Sequence, residues 1–317
     1  MNTIFFILRQ TLTFSIPLLV VALGGMFSER SGVVNIALEG IMVFGAFTSI
    51  LFINIVEDTM SGQLLLLLAI LIAGLAGILI SLLHAYASIN MKANQVISGT
   101  AINLLTPAVA VYVARMIQNV QQINFNNTFR IPHVPVLGKI PGLGDVLFKD
   151  AYITTYLGIA ILIVSAIVLY KTKFGLRLRA CGEHPHAADS VGINVYKIRY
   201  AGVMLSGMLG GIGGLIFVIP TSTNFNATVA GYGFLALAVL IFGQWKPMRI
   251  FFASLFFGLM KTIAATYSSI PFLLNLGVPN TFFKMTPFVA TLIVLAFTSK
   301  KSQAPKASGV PYDKSIH

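Results

Sequence analysis

Charge is what this 317-residue sequence has least of. Asp, Glu, Lys and Arg together make up 9% of it, against about 25% in a soluble domain. Hydrophobic residues make up 56%, which excludes an ordinary soluble fold and leaves length for roughly eight to ten membrane spans. Cysteine is almost absent. The single Cys181 excludes an intrachain disulfide and a multi-cysteine zinc site. No Gly-x-x-x-x-Gly-Lys-Ser/Thr sequence occurs, so nothing in the chain would let it draw on ATP by itself. No Ser-His-Asp set and no pair of carboxylates is legible, and the five histidines give one His-x-His pattern at His184 and His186, a weak metal signal. Residues 1–8 carry no Lys or Arg. The first apolar run is long for a signal peptide and is expected to be a retained span.

What is present is a series of nine apolar segments: 4–23, 36–55, 63–88, 95–117, 152–170, 201–219, 231–244, 249–270 and 285–298. The expected fold is an all-α polytopic membrane protein with about nine membrane segments, some short or broken. Residues 231–244 would reach only about 21 Å as a helix, short of a full crossing, and are expected to be short or re-entrant within protein. Segment 285–298 is equally short unless its helix begins upstream, near Pro279. One transmembrane domain, 1–298, precedes a polar tail, 299–317, which contains Pro305, Gly309 and Pro311 and is expected to be disordered and cytoplasmic.

The net charge of +12 is not a nucleic-acid signal here, because the cations sit in loops between apolar runs, where membrane topology explains them. With the 171–200 loop placed inside, the inner side holds 14 Lys and Arg and the outer side four: Arg130, Lys139, Lys149 and Lys284. This puts the C-terminus in the cytoplasm and the N-terminus outside. Residues 118–150 then form an external loop, rich in breakers such as Pro132, Pro135 and Pro141, that suits either contact with an extracytoplasmic protein or a passive connection.

Loop 171–200 holds six of the 21 Lys and Arg. Within it, Pro185 follows Gly182, Glu183 and His184 and is favoured at the first position of a helix. His186, Ala187 and Ala188 continue that helix, and Gly192 can end it in a left-handed cap. The product is a short helix with basic flanks and small residues, suited to docking a soluble partner; an ordinary solvated loop has the same spacing.

Two polar, glycine-bearing breaks lead into apolar helices. The first contains Ser31, Asn35 and Glu39; the second contains Asn224 and Asn226. As inverted repeats, they would enter from opposite faces and approach each other near the midplane. These residues and Asn103 are candidates to line a transport path. Helix caps, or Glu39 bonded to backbone at a broken helix, would account for the same residues. Lys261, inside a span, must meet an acid or a hydrated space. Gly207, Gly210, Gly211 and Gly214 have small-xxx-small spacing, expected to pack helices internally.

Three segments resemble one family. Ser28-Glu-Arg-Ser-Gly-Val-Val-Asn-Ile-Ala-Leu-Glu-Gly40, Arg179-Ala-Cys-Gly-Glu-His-Pro-His-Ala-Ala-Asp-Ser-Val-Gly-Ile193 and Gly233-Phe-Leu-Ala-Leu-Ala-Val-Leu-Ile-Phe-Gly-Gln-Trp-Lys-Pro247 are similar to inner-membrane permeases of ABC importers, in the branched-chain amino acid, ribose and nucleoside group, most of all the nucleoside permeases. The Ala187-Ala188-x-x-x-Gly192 spacing echoes a coupling-loop pattern of ABC permeases generally, although His186 stands where that pattern has Glu. The resemblance implies a transport subunit of a bacterial cytoplasmic membrane with no cofactor of its own. Its partners would be a second permease, often a paralogue, a cytoplasmic ATPase that binds ATP and Mg and docks on residues 182–192, and an extracytoplasmic substrate-binding protein. A ribose-type sugar permease is the nearest alternative. An ion-coupled secondary transporter, with Glu39 and Lys261 as its ion site, is a further one.

Overall fold

The computed structural model describes residues 2–134, 138, 142, 144–267, 279–298 and 304–314. Among the described residues each of the nine apolar segments holds a helix: α1 (Asn2–Arg30), α2 (Leu38–Val56), α3 (Gln63–Ala85), α4 (Gln95–Gln118), α5 (Ile153–Lys171), α8 (Val195–Thr221), α9 (Tyr232–Phe242), α10 (Pro247–Thr266) and α11 (Asn280–Thr298); the end of segment 249–270 lies outside the described residues. Two further helices, α6 (Lys173–Glu183) and α7 (Pro185–Ser190), lie in the polar loop. Among the described residues, seven helices (α1 to α5, α8 and α10) are long and apolar enough to cross a membrane. Helix α9, with 11 residues, is not. Helix α11 starts at Asn280, just past Pro279, which gives it 19 residues.

Helix α8 is the axis of the bundle. Its hydrophobic window is 78% buried, against 22% for α4, which is therefore peripheral. Small residues permit this centrality. A Cβ at Gly207 would collide with the Gly77 carbonyl, one at Gly211 with the Ala73 carbonyl, and one at Gly214 with the Met42 carbonyl. The glycine row thus seats α8 against α3 and α2 inside one chain, as its spacing predicts. Helix α3 turns Ala69, Ala73 and Gly77 to this seam and exposes Leu64, Leu71, Leu75 and Leu79 on its other side.

The two polar ends of the bundle are distinct. At one end, Asn224–Phe225 (β4) pairs with Ile123–Asn124 (β1), and Ile131–His133 (β2) pairs with Lys149–Ala151 (β3), both antiparallel. Arg9 of α1 and Arg130 ion-pair with Asp150 there. The 118–150 segment is therefore not only loop. At the other end gather Arg30, Lys92, α6, α7 and the turn after α9. That turn holds Gln244 and Trp245 at φ +48° and +54°, a left-handed corner uncommon for such residues. The indole of Trp245 donates to Glu29 at 2.6 Å, and its carbonyl accepts from Arg30 at 3.1 and 3.2 Å, which fixes the corner.

The tail departs from expectation. Residues 304–314 pack onto the second end, where disorder is the sequence-based expectation. The Ala307 amide donates to Gly182 O at 2.9 Å and the Gly309 amide to Gly32 O at 3.2 Å. Arg199, 1% exposed, donates to Val310 O at 3.1 Å. Tyr312 is 3% exposed, with its ring 5.1 Å from that of His186 and 5.4 Å from that of Tyr196. Lys92 pairs with Asp313. A weakly hydrophobic segment cannot build a core, but this one inserts Ala307 and Tyr312 into a core that the bundle supplies.

Candidate coupling face and cavity

The loop helices are built as their sequence implies, with one addition. Helix α6 buries Gly175, Leu178, Cys181 and Gly182, a stripe at helical spacing that its basic residues conceal. Thr172 caps it through Gly175 N at 3.1 Å. His184 then leaves the helical region at φ −143°, and Pro185 opens α7. Gly192, at φ +83°, ends it, with its amide on Asp189 O at 2.8 Å and the Ile193 amide on Ala188 O at 3.1 Å.

The candidate coupling residues divide into two groups. His184, His186, Ala187 and Gly192 are exposed, and Val191, not singled out from sequence, is 74% exposed beside them. Gly182 and Ala188 face inward. A side chain at Gly182 would strike the Arg30 carbonyl, and Ala188 packs with Cys181, Val195 and Tyr312. Glu183 is half-buried and lies 3.8 Å from Arg30. Burial pushes the Cys181 thiol up from 9.0 to about 11, against the opposing charge of Arg199.

The first polar break, residues 31–37, crosses the protein interior with side chains meeting its backbone. Ser28 donates to Val33 O at 2.7 Å. The Val34 amide donates to Gln95 at 2.7 Å, and Val34 O lies 2.9 Å from His84 Nε2. Asn103 accepts from Gly40 N at 2.7 Å and donates to Ile36 O at 2.9 Å. Asn35, fully buried, donates to Ser206 at 2.9 Å and accepts from Ala37 N at 3.1 Å. Ser31, also fully buried, donates to Ser28 O at 2.6 Å. Irregular backbone at this depth survives only when satisfied in this way. His84 and Gln95 share this task with Asn35 and Asn103.

The two breaks meet. Glu39 accepts from Gly231 N at 2.9 Å and from Gly233 N at 2.6 Å, so the head of α2 holds the head of α9. A carboxylate at a helix N-terminus is favourable, and both oxygens are engaged. Asn224 and Asn226 are not part of this junction. Both are exposed, and Asn224 lies in the short ladder opposite Asn124.

A cavity lies beside that junction. It has a volume of about 600 Å³ and is lined by Gln10, Thr13 and Phe14 of α1, Phe217 of α8, Tyr232 of α9 and Lys261 of α10. An adjoining cavity of about 400 Å³ shares Ala230, Lys261 and Pro287 with it. Lys261 Nζ stands 5.2 Å from the centre of the Tyr232 ring, and the Phe217 ring centre lies 4.1 Å from it. Helices α1 and α8 each run from the end that bears α6 and α7, at Arg30 and Val195, to this cavity.

Helices long and apolar enough to span a membrane, a half-length helix headed at an internal break, a cavity there and a polar helix pair at one end make an all-α polytopic membrane protein. A family profile described as the permease component of the branched-chain amino acid transport system matches residues 7–297, and the chain belongs to that family. It is 45% identical over 315 residues to the nucleoside ABC transporter permease protein NupC of Lactococcus lactis, covering 99% of this chain and 98% of that one. It is 44% identical over 310 residues to the guanosine ABC transporter permease protein NupQ of Bacillus subtilis, covering 97% and 96%. A second L. lactis nucleoside permease, NupB, is 23% identical over 309 residues, covering 94% and 83%. No solved structure gives a significant match.

Proposed function

We propose that this chain is a transmembrane subunit of an ATP-driven importer of nucleosides. The observation that carries the reading is the near end-to-end identity with two permeases named for nucleoside and guanosine transport. Its partners are a second permease, a cytoplasmic ATPase that binds ATP and Mg, and an extracytoplasmic binding protein. A paralogous second permease is supported by the chain's similarity to both NupC and NupB of one organism. The end bearing α6, α7 and the tail faces the cytoplasm, consistent with its concentration of cations, and the N-terminus lies outside. The breaks before α2 and α9 belong to inverted repeats, a reading supported by their meeting at Glu39.

The ATPase docks on His184, His186, Ala187, Val191 and Gly192. Its closure on ATP moves α6 and α7. Gly182 packed on Arg30 passes that movement to α1, and Arg199 passes it to α8, so both walls of the cavity respond. ATP and substrate are coupled because each favours one arrangement of these helices over the other. The exposed Asn224 and Asn226 stand at the outer mouth, while Ser31, Asn35, Glu39 and Asn103 hold the break that shapes the path. The test is labelled-nucleoside uptake into proteoliposomes holding the assembled transporter. Uptake that needs both ATP and the binding protein supports the reading; uptake driven by an ion gradient through this chain alone refutes it.

A further inference from the structure

Lys261 has no role in the frame described above. It is a cation on a membrane helix, half-buried at the junction of two cavities. Its charge interacts with that of Glu39, but both Glu39 oxygens already accept backbone amides. Its only direct partner among the described residues is the face of Tyr232. Three ammonium hydrogens therefore remain to be donated. A charge in this position is costly unless it serves a hydrated path or a ligand. Tyr232 supplies a second such group, since its hydroxyl is buried with no hydrogen-bond partner among the described residues. Around them the larger of these two cavities offers two half-buried aromatic rings, Phe14 and Phe217, and four neutral polar side chains, Gln10, Thr13, Thr221 and Thr266.

This chemistry selects a ligand class. No carboxylate lines either cavity among the described residues, so the ammonium group of an amino acid finds no counter-charge. Aromatic faces suit a planar base, and hydroxyl and amide groups suit ribose. Both volumes fall within the range of small-molecule sites. The donor-only lysine adds a preference. A 6-oxopurine, or a pyrimidine with a 4-keto group, presents an acceptor where adenine and cytosine present an amino donor.

Resting on the nucleoside reading above, we propose that Lys261 and Tyr232 form a base-recognition site. The base lies against Phe14 and Phe217, and Lys261 donates to its keto edge, so guanosine, inosine and uridine pass in preference to adenosine and cytidine.

The experiment compares uptake of labelled guanosine and adenosine by the complete transporter in proteoliposomes, wild type against Lys261→Gln, with assembly judged by copurification of the ATPase. Glutamine both donates and accepts, so the guanosine-to-adenosine uptake ratio is expected to fall by about tenfold, the size of one lost charge-assisted hydrogen bond. An assembled K261Q transporter with an unchanged ratio overturns the proposal. A second measurement leaves Lys261 in place. In a Thr13→Cys variant, guanosine should slow alkylation of the new thiol several-fold more than adenosine does. Equal protection, or none, overturns the proposal even if K261Q does not assemble. Absence of any nucleoside uptake by the wild-type transporter would instead refute the functional reading.

Discussion

The amide of Ala307 donates to the carbonyl of Gly182 at 2.9 Å, on the residue whose missing side chain lets α6 rest against Arg30. The C-terminal tail is thereby tied to the joint between the loop helices and α1. With Tyr312 seated between His186 and Tyr196, it is part of the candidate coupling face.

Removing that anchor should loosen the face while leaving the bundle intact. Tyr312→Ala takes away a buried ring, a change that costs on the order of 3 kcal/mol in a packed core. Amide hydrogen exchange across residues 182–192 should accelerate by at least about tenfold, with no change in α8 or α3. Unaltered protection in the loop would show that the tail is dispensable.

Tyr312 also packs in one cluster with Cys181. Burial raises its thiol to about 11, so the neutral thiol dominates at pH 8 and alkylation should be slow. A raised value means the folded form holds the proton more tightly. The packing around Cys181 is therefore unaffected below about pH 9 and weakens as pH rises from about 9 towards 11. Alkylation kinetics against pH should show this range for wild type and shift towards an ordinary thiol, about 8.5, in Tyr312→Ala.

Ala187 and Ala188 are adjacent, yet their substitutions should fail differently. Ala187→Glu places a charge on the exposed side. It should leave the protein stable and weaken ATPase copurification by more than about a hundredfold, since a charge buried without a partner in an interface costs about 3–5 kcal/mol. Ala188→Glu puts that charge among Cys181, Val195 and Tyr312 and should lower the thermal midpoint of the purified subunit. Identical behaviour of the two variants would contradict the assigned faces.

Gly211→Leu tests the central seam. Its side chain would drive against the Ala73 carbonyl, where backbone cannot yield. Overpacking of this kind costs about 1–3 kcal/mol or more, so the variant should unfold at a clearly lower temperature in detergent. A wild-type midpoint would mean that α3 and α8 are not in contact there.

The spanning helices were legible because membrane segments declare themselves by length and lack of charge. Pro185 and Gly192 were legible because their backbone preferences fit one end of a helix each. Helix α6 was hidden by its own cations: Leu178 and Cys181 make a buried stripe only once Arg177 and Arg179 are read as its solvent side. The tail misled because composition reports whether a segment can build a core, and it does not show that Tyr312 enters one built by others. The short strands at 123–124 and 224–225 are below the length at which alternation can be read. Among the site residues, Asn35, Glu39 and Asn103 were recognisable as polar groups in apolar surroundings. Their pairing with Ser206, Gly231 and Gly40 depends on contacts far apart in sequence, which periodicity does not encode.

If an ATPase docked on α7 drives nucleoside movement through this chain, substrate and hydrolysis must be coupled through that helix. The most direct measurement is ATP hydrolysis by the reconstituted transporter as nucleoside and binding protein are added, in wild type and in Ala187→Glu. Stimulation is expected in wild type and its loss in the variant, with the purified subunit still folded. Stimulation of equal size in both, or hydrolysis indifferent to nucleoside in wild type, would contradict it.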